Sequence, residues 1–229
     1  MISAGYPLGM SRTLTRQEAS NAVSELGWRY LLGTLRMSVP VQTLVEASEL
    51  AAAAVAACGA DADQHLRIDL RPDQVVLTLQ SMTEATVTER DVQLARSITA
   101  AVSQRGDPPR SVQLLEIGID AMDIAAIRPF WKAVLGYADE PGADGPQDAL
   151  VDPAGQGPAV WFQQMSEPRT ERNRIHFDLC VPHDEAPRRL QATLDAGGRL
   201  LSDAEAPSFW VLADPEGNEA CITTWQGRD

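Results

Sequence analysis

The sequence predicts an α+β chain of two parts, an α-β-β-α-β-β-α unit followed by a paired βαβββ unit. Three observations carry this reading. Helical and strand periods of hydrophobicity alternate along the chain. The stretch QRGDPPRS, residues 104–111, joins Gly, adjacent prolines and charges between two regions of different rhythm, and reads as a linker. Beyond it one order of strand, helix and strands occurs twice, the mark of a duplicated supersecondary unit. A chain of 229 residues with 44% apolar residues is long and apolar enough for two cores. The predicted boundaries are a flexible N-terminus over 1–13, a first domain over 14–104, a linker over 105–111 and a second domain over 112–229.

In the first domain, TRQEASNAVSEL opens with Thr15 at an N-cap and Glu18 three residues later, a capping box ahead of helical spacing. WRYLLGTLRMSV reads as a short hairpin around Gly33, and VQTLVEASELAAAAVAACGA as a long helix. RIDLRPDQVVLTLQS gives two strands turned at Pro72-Asp73, and TERDVQLARSITAAVSQ, from Thr88, a closing helix.

In the second domain, LLEIGIDAM is a strand and DIAAIRPFWKAVLG a helix stopping at Gly136; ALVDP and PAVWFQQM are strands. RIHFDLCV then starts the second round, DEAPRRLQATLDAGG is its helix, and RLLS, SFWVLADP and EACITTW are its later strands.

Composition removes several function classes. With 19 basic against 32 acidic side chains the net charge is −13, which opposes binding to nucleic acid or to an anionic membrane, and no local basic patch offsets it. The longest apolar run, LAAAAVAACGA, is far short of the ~20 residues that span a bilayer. The N-terminus lacks the basic start and apolar stretch of a secretory signal. Cys58, Cys180 and Cys221 form neither a disulfide framework nor a zinc pair by spacing, so a reducing cytoplasm is expected.

The pieces LLEIGID, FWKAVLGY, RIHFDLCV and DPEGNEACI, over roughly residues 111–226, make the second domain resemble the vicinal oxygen chelate superfamily, of the glyoxalase-like and bleomycin-resistance type. The resemblance implies two sheets curled into a cup around a small molecule. It implies too that metal-using members take ligands from the first strand of each module and from the final strands. The first-strand positions here are Glu116 and His176. Strand alternation turns both away from the apolar residues beside them, toward the cup. Carboxylate and imidazole suit zinc, iron or manganese.

The last-strand ligand position, three residues after the Asn of DPEGN, holds Cys221 instead of Glu, with Glu219 on the same strand face. The remaining position, in PAVWFQQM, offers Gln163 or Gln164, both weak donors. Two alternatives stay open: a polar pair, Glu116 and His176, lining a metal-free cavity, or the same two residues holding a divalent metal. No cofactor is otherwise specified. Trp161 and Trp210, the latter beside Phe209, are the candidate aromatic walls of a pocket. His183 reads as a surface turn residue, and SEPRTERNR as a charged loop. The resemblance implies a small-molecule ligand and either a lyase or related enzyme of the superfamily or a ligand-sequestering resistance protein.

The first domain, through LTRQEASNAVSELGWRY, VQTLVEASELAAAAVA, QHLRIDLRPDQVVLTLQS and VTERDVQLARSI, resembles the pterin-4a-carbinolamine dehydratase family. That family carries a His-His-Pro triplet and a further His, imidazoles that act as acid and base in expelling water from a 4a-hydroxypterin. Here the triplet is Gln64-His65-Leu66 and Met82 stands at the later position, leaving His65 and Asp91 as the catalytic candidates if 4a-hydroxytetrahydrobiopterin dehydratase activity is retained. Gln and Met cannot hold and release a proton near neutral pH. The domain is therefore expected to serve structure or assembly. Because the dehydratase family is oligomeric, the resemblance implies a homo-oligomer.

Overall fold

The computed structural model describes residues 11–102, 112–140, 145–168, 171 and 175–227. The expected linker over 105–111, most of the flexible start and most of the SEPRTERNR loop lie outside the described residues. The chain divides into two compact units, Met1–Leu114 and Leu115–Asp229.

In the first unit Thr15 caps α1 (Arg16–Val23) as its sequence requires. The Thr15 hydroxyl accepts from the Glu18 amide at 3.2 Å, and the Glu18 carboxylate accepts from the Thr15 amide at 2.8 Å. Strands β1 (Arg29–Leu31) and β2 (Thr34–Pro40) form the hairpin around Gly33, whose two turn residues, Leu32 and Gly33, have φ of 44° and 74°. Positive φ at both positions matches the twist of the flanking strands. Thr43 caps α2 (Leu44–Cys58). A single helical turn that the periodicity does not show, α3 (Ala62–His65), carries His65 into β3 (Leu66–Arg71). β4 (Gln74–Leu79) and α4 (Glu89–Val102) complete the unit.

The sheet order is β1-β2-β4-β3, antiparallel throughout. Leu35, Met37, Leu77 and Leu79 meet Leu50, Leu94 and Ile98 of the helices in the core, each such side chain contributing about 1.5–3 kcal/mol by leaving water. Trp28 is fully buried there because its indole N–H donates to Thr99 Oγ1 at 3.0 Å.

The second unit contains the two βαβββ modules. The first consists of β5 (Glu116–Ala121), α5 (Ile124–Leu135), β6 (Ala138–Asp139), β7 (Leu150–Val151) and β8 (Ala159–Gln164), in the order β5-β8-β7-β6. The second consists of β9 (Phe177–Cys180), α6 (Ala186–Asp195), β10 (Arg199–Ser202), β11 (Phe209–Ala213) and β12 (Glu219–Thr223), in the order β10-β11-β12-β9. In both, the first strand runs parallel to the last. The fold class is α+β, as the sequence predicts. Strand β6 is too short to show alternation; Arg128, at 2.7 Å from Asp139 Oδ1, and Lys132 hold it against α5.

The DPEGN turn is a lock. Asp214 is fully buried, accepts from the Glu216 and Asn218 amides at 2.9 and 2.8 Å, and takes the Trp131 indole N–H at 3.1 Å. The Glu216 carboxylate reaches the other module, accepting from the Met122 and Asp123 amides at 2.9 and 2.7 Å. This turn fixes the β11–β12 register, and with it the position of Cys221.

Candidate functional site

The first unit brings His65 and Asp91 together. His65 Nδ1 lies 2.8 Å from Asp91 Oδ1, the aspartate being wholly buried and the imidazole 13% exposed. Asp91 also acts as a cap: its Oδ2 accepts from the Thr88 amide and hydroxyl, both at 2.7 Å, at the start of α4. Beside the pair, the Met82 amide donates to the Gln64 carbonyl and the Gln80 amide to the His65 carbonyl, each at 3.0 Å. Gln64 and Met82 thus flank one backbone ladder next to His65, and neither supplies an imidazole. The arrangement orients one histidine and offers no second proton carrier from these positions.

In the second unit, alternation along β5 turns Glu116, Gly118 and Asp120 to the exposed face, while Ile119 and Ala121 are buried with α5. On the parallel neighbour β8, Trp161 stands opposite Gly118 and Gln163 opposite Asp120. The Trp161 indole, 40% exposed, lies on Gly118: a methyl group there would sit 2.9 Å from Trp161 Cζ2. Gln164 is used structurally, its amide donating to the carbonyls of Ala121 and Met122. Glu116 adds its negative charge to the field at Glu140, whose carboxyl is raised above the usual carboxylate range by burial first, then by Asp148 and Glu116.

The second sheet presents a tighter group. His176, Asp178 and Cys221 each offer one ligand atom, and these atoms all lie within 4.8 Å of one another. Asp178 is paired across the ladder with Cys221, and His176, two residues earlier on the same face, has Nε2 3.5 Å from Asp178 Oδ1. The predicted His176 and Cys221 therefore converge, with Asp178 as their carboxylate in place of Glu116. Trp210 pairs with Ile222 and packs on the core, on the sheet face opposite to Cys221. His183, in its turn, accepts from the Trp225 indole N–H at 3.3 Å.

A cavity of about 240 Å³ opens beside His176 and Asp178, lined by Ile117, Tyr137, Val160, Phe177 and Leu179. Ligand cavities start at roughly 300 Å³, so the volume admits only a small ligand or part of a larger one. Its walls are mostly apolar and its polar lining residues are His176, Asp178 and Tyr137, the composition expected of a pocket that orients a ligand by a few groups. One imidazole nitrogen, one carboxylate oxygen and one sulfur suit a borderline cation such as zinc, and three protein ligands leave a fourth position open. The residues fit such an ion.

Residues 116–223 match the family model of the glyoxalase-like domain, and residues 12–101 that of pterin 4 alpha carbinolamine dehydratase. The chain carries a pterin carbinolamine dehydratase domain followed by a glyoxalase-like domain. Among solved structures, the glyoxalase-like domain is similar to a glyoxalase/bleomycin resistance protein/dioxygenase family enzyme from Burkholderia phytofirmans PsJN, at 20% identity over 49% of this chain and 98% of that one, with a TM-score of 0.40. It is similar also to the fosfomycin resistance protein FosX from Mesorhizobium loti, at 11% identity over 52% of this chain and 97% of that one, TM-score 0.41. The dehydratase domain is similar to a transcriptional coactivator/pterin dehydratase from Brucella melitensis, at 26% identity over 39% of this chain and 98% of that one, TM-score 0.36. None of the curated proteins matches the chain. Among the described residues, no helix is long and apolar enough to cross a membrane.

Proposed function

We propose that the glyoxalase-like domain binds a small molecule in the cavity beside β9, with His176, Asp178 and Cys221 as its polar anchors and as the ligands of a divalent metal. The observation that carries this reading is the convergence of the three ligand atoms within 4.8 Å, two of the three residues, His176 and Asp178, also lining an apolar cavity. A metal held there supplies Lewis acidity toward an oxygen of the ligand. The chain's own groups do the rest: Phe177, Leu179 and Ile117 exclude water from the ligand's apolar part, and His176 and Asp178 direct its polar end. Glu116, Trp161 and Gln163 form a second ligand-facing surface on the first sheet. An activity of this domain would be of the lyase type.

The dehydratase domain serves as a scaffold and an assembly element, forming a homo-oligomer. Its remaining His65–Asp91 pair supports the start of α4 rather than turnover. Three cysteine thiols fit a reducing, cytoplasmic setting.

Equilibrium dialysis against zinc, followed by elemental analysis, tests the metal reading. The wild type is expected to retain one ion per chain, and His176→Ala and Asp178→Asn to retain much less. Zinc at the no-protein level in the wild type overturns it.

A further inference from the structure

Arginines gather where the fold supplies no counter-charge. Residues Arg29, Arg36, Thr78 and Arg67 are cross-strand partners in one row across the first unit's sheet. Their side chains share the face opposite to Leu35 and Leu77, since alternation puts every second residue on one side. Arg29 is committed to the backbone, donating to the Ser24 and Trp28 carbonyls at 3.0 and 2.8 Å. Among the described residues Arg67 donates only to the neutral Gln80 Oε1, at 3.4 Å, and Asp69, next on its strand face, is paired with Arg71. Arg36 Nε is buried and has no acceptor among the described residues. Among the described residues, neither Arg36 nor Arg67 forms an ion pair. In a chain of net charge −13, two guanidiniums flanking one threonine with no carboxylate between them is an arrangement that costs stability unless an anion joins it.

We propose that Arg36 and Arg67, with Thr78 between them, form a binding site for an oxyanion, the phosphate or carboxylate group of a small ligand. Adjacent strands lie about 4.8 Å apart, so the Cα atoms of Arg36 and Arg67 stand about 10 Å apart across Thr78. Both long side chains therefore reach one anion from opposite sides, and guanidinium forks match oxyanion geometry. The buried Nε of Arg36 receives the acceptor it lacks, and the Thr78 hydroxyl is placed to donate a further bond. The strain the site relieves shows on Arg36, whose guanidinium is held below its usual range by burial first and by the charge of Arg67 second. The site uses none of the residues of the His176 cluster or of the His65–Asp91 pair, and it gives the dehydratase domain a ligand of its own.

The test uses the full chain in chloride buffer, with inorganic phosphate or acetate added at constant ionic strength and binding followed by calorimetry and thermal melting. Saturable binding of one of these anions with a rise in melting temperature is expected. Arg36→Gln and Arg67→Gln should each weaken it about tenfold to a hundredfold, the loss of a charge-assisted bond. In chloride alone, Arg67→Gln should melt no lower than the wild type, because a repulsion is removed, which keeps a misfolded variant from passing as a binding defect. Binding of phosphate without acetate assigns a phosphate ester as ligand class, and the reverse assigns a carboxylate. Heats no different from added chloride, or binding unchanged in both variants, overturn the proposal.

Discussion

Asp178 on β9 lies directly opposite Cys221 on the parallel strand β12, and His176, two residues earlier, shares their face. The DPEGN turn, anchored by the buried Asp214, sets the hairpin register that brings Cys221 to this place, and Trp131 of the other module holds that turn by an indole hydrogen bond. The candidate metal ligands therefore depend on a structural aspartate seven residues before Cys221 and far in sequence from His176 and Asp178.

That dependence is measurable. Asp214→Ala removes the acceptor of two backbone amides and one buried indole, and is expected to destabilise the glyoxalase-like domain by about 3 kcal/mol. Asp214→Asn keeps one carbonyl oxygen and should lose less. Denaturant unfolding followed by tryptophan fluorescence reads both.

Glu140 tests the electrostatics of the first module. Its carboxyl is raised from the ordinary 4.5 by burial, Asp148 and Glu116, so folding favours the protonated form. The associated stability is fully present below pH 4.5 and is lost as the pH rises through the higher folded value. Glu140→Gln should therefore melt at a higher temperature than the wild type at neutral pH and show no advantage below the ordinary carboxylate range. A melting series against pH checks the sign.

The indole over Gly118 makes a local prediction. In Gly118→Ala the new methyl would lie 2.9 Å from Trp161 Cζ2, and the half-exposed ring should swing outward. Stability should fall by no more than about 1 kcal/mol, while acrylamide quenching of Trp161, read against a Trp161→Phe control, increases.

In the dehydratase domain, wild-type protein should dehydrate a 4a-hydroxytetrahydropterin no faster than the spontaneous rate. Gln64→His with Met82→His places imidazoles beside His65, where the backbone already pairs these two residues. A positioned acid or base contributes roughly 10²–10⁴ in rate, so the double variant should show turnover that His65→Ala abolishes.

Much of this was legible in the sequence. The Thr15–Glu18 box, the Gly33 hairpin and the helix end at Gly136 are local signals, and the structure has each of them. His65 and Asp91 could be paired because the resemblance covered both. Asp178 was missed although the alternation His176-Phe177-Asp178 already puts it on the face of His176; only the β9–β12 pairing shows that Cys221 stands opposite. Trp210 illustrates the converse. Its neighbour Phe209 has the opposite parity, and which of the two faces the core follows from the β11–β12 register, a property of the folded turn. Strand β6, with two residues, carries no periodicity to read.

The central claim is that His176, Asp178 and Cys221 hold a metal together, and cobalt(II) titration followed by absorption spectroscopy tests it most directly. The wild type should develop a saturable thiolate-to-cobalt charge-transfer band in the near ultraviolet at one ion per chain, with Cys221→Ser losing that band and Asp178→Asn binding more weakly. A wild type that shows no saturable cobalt spectrum, or a charge-transfer band that persists in Cys221→Ser, contradicts the account.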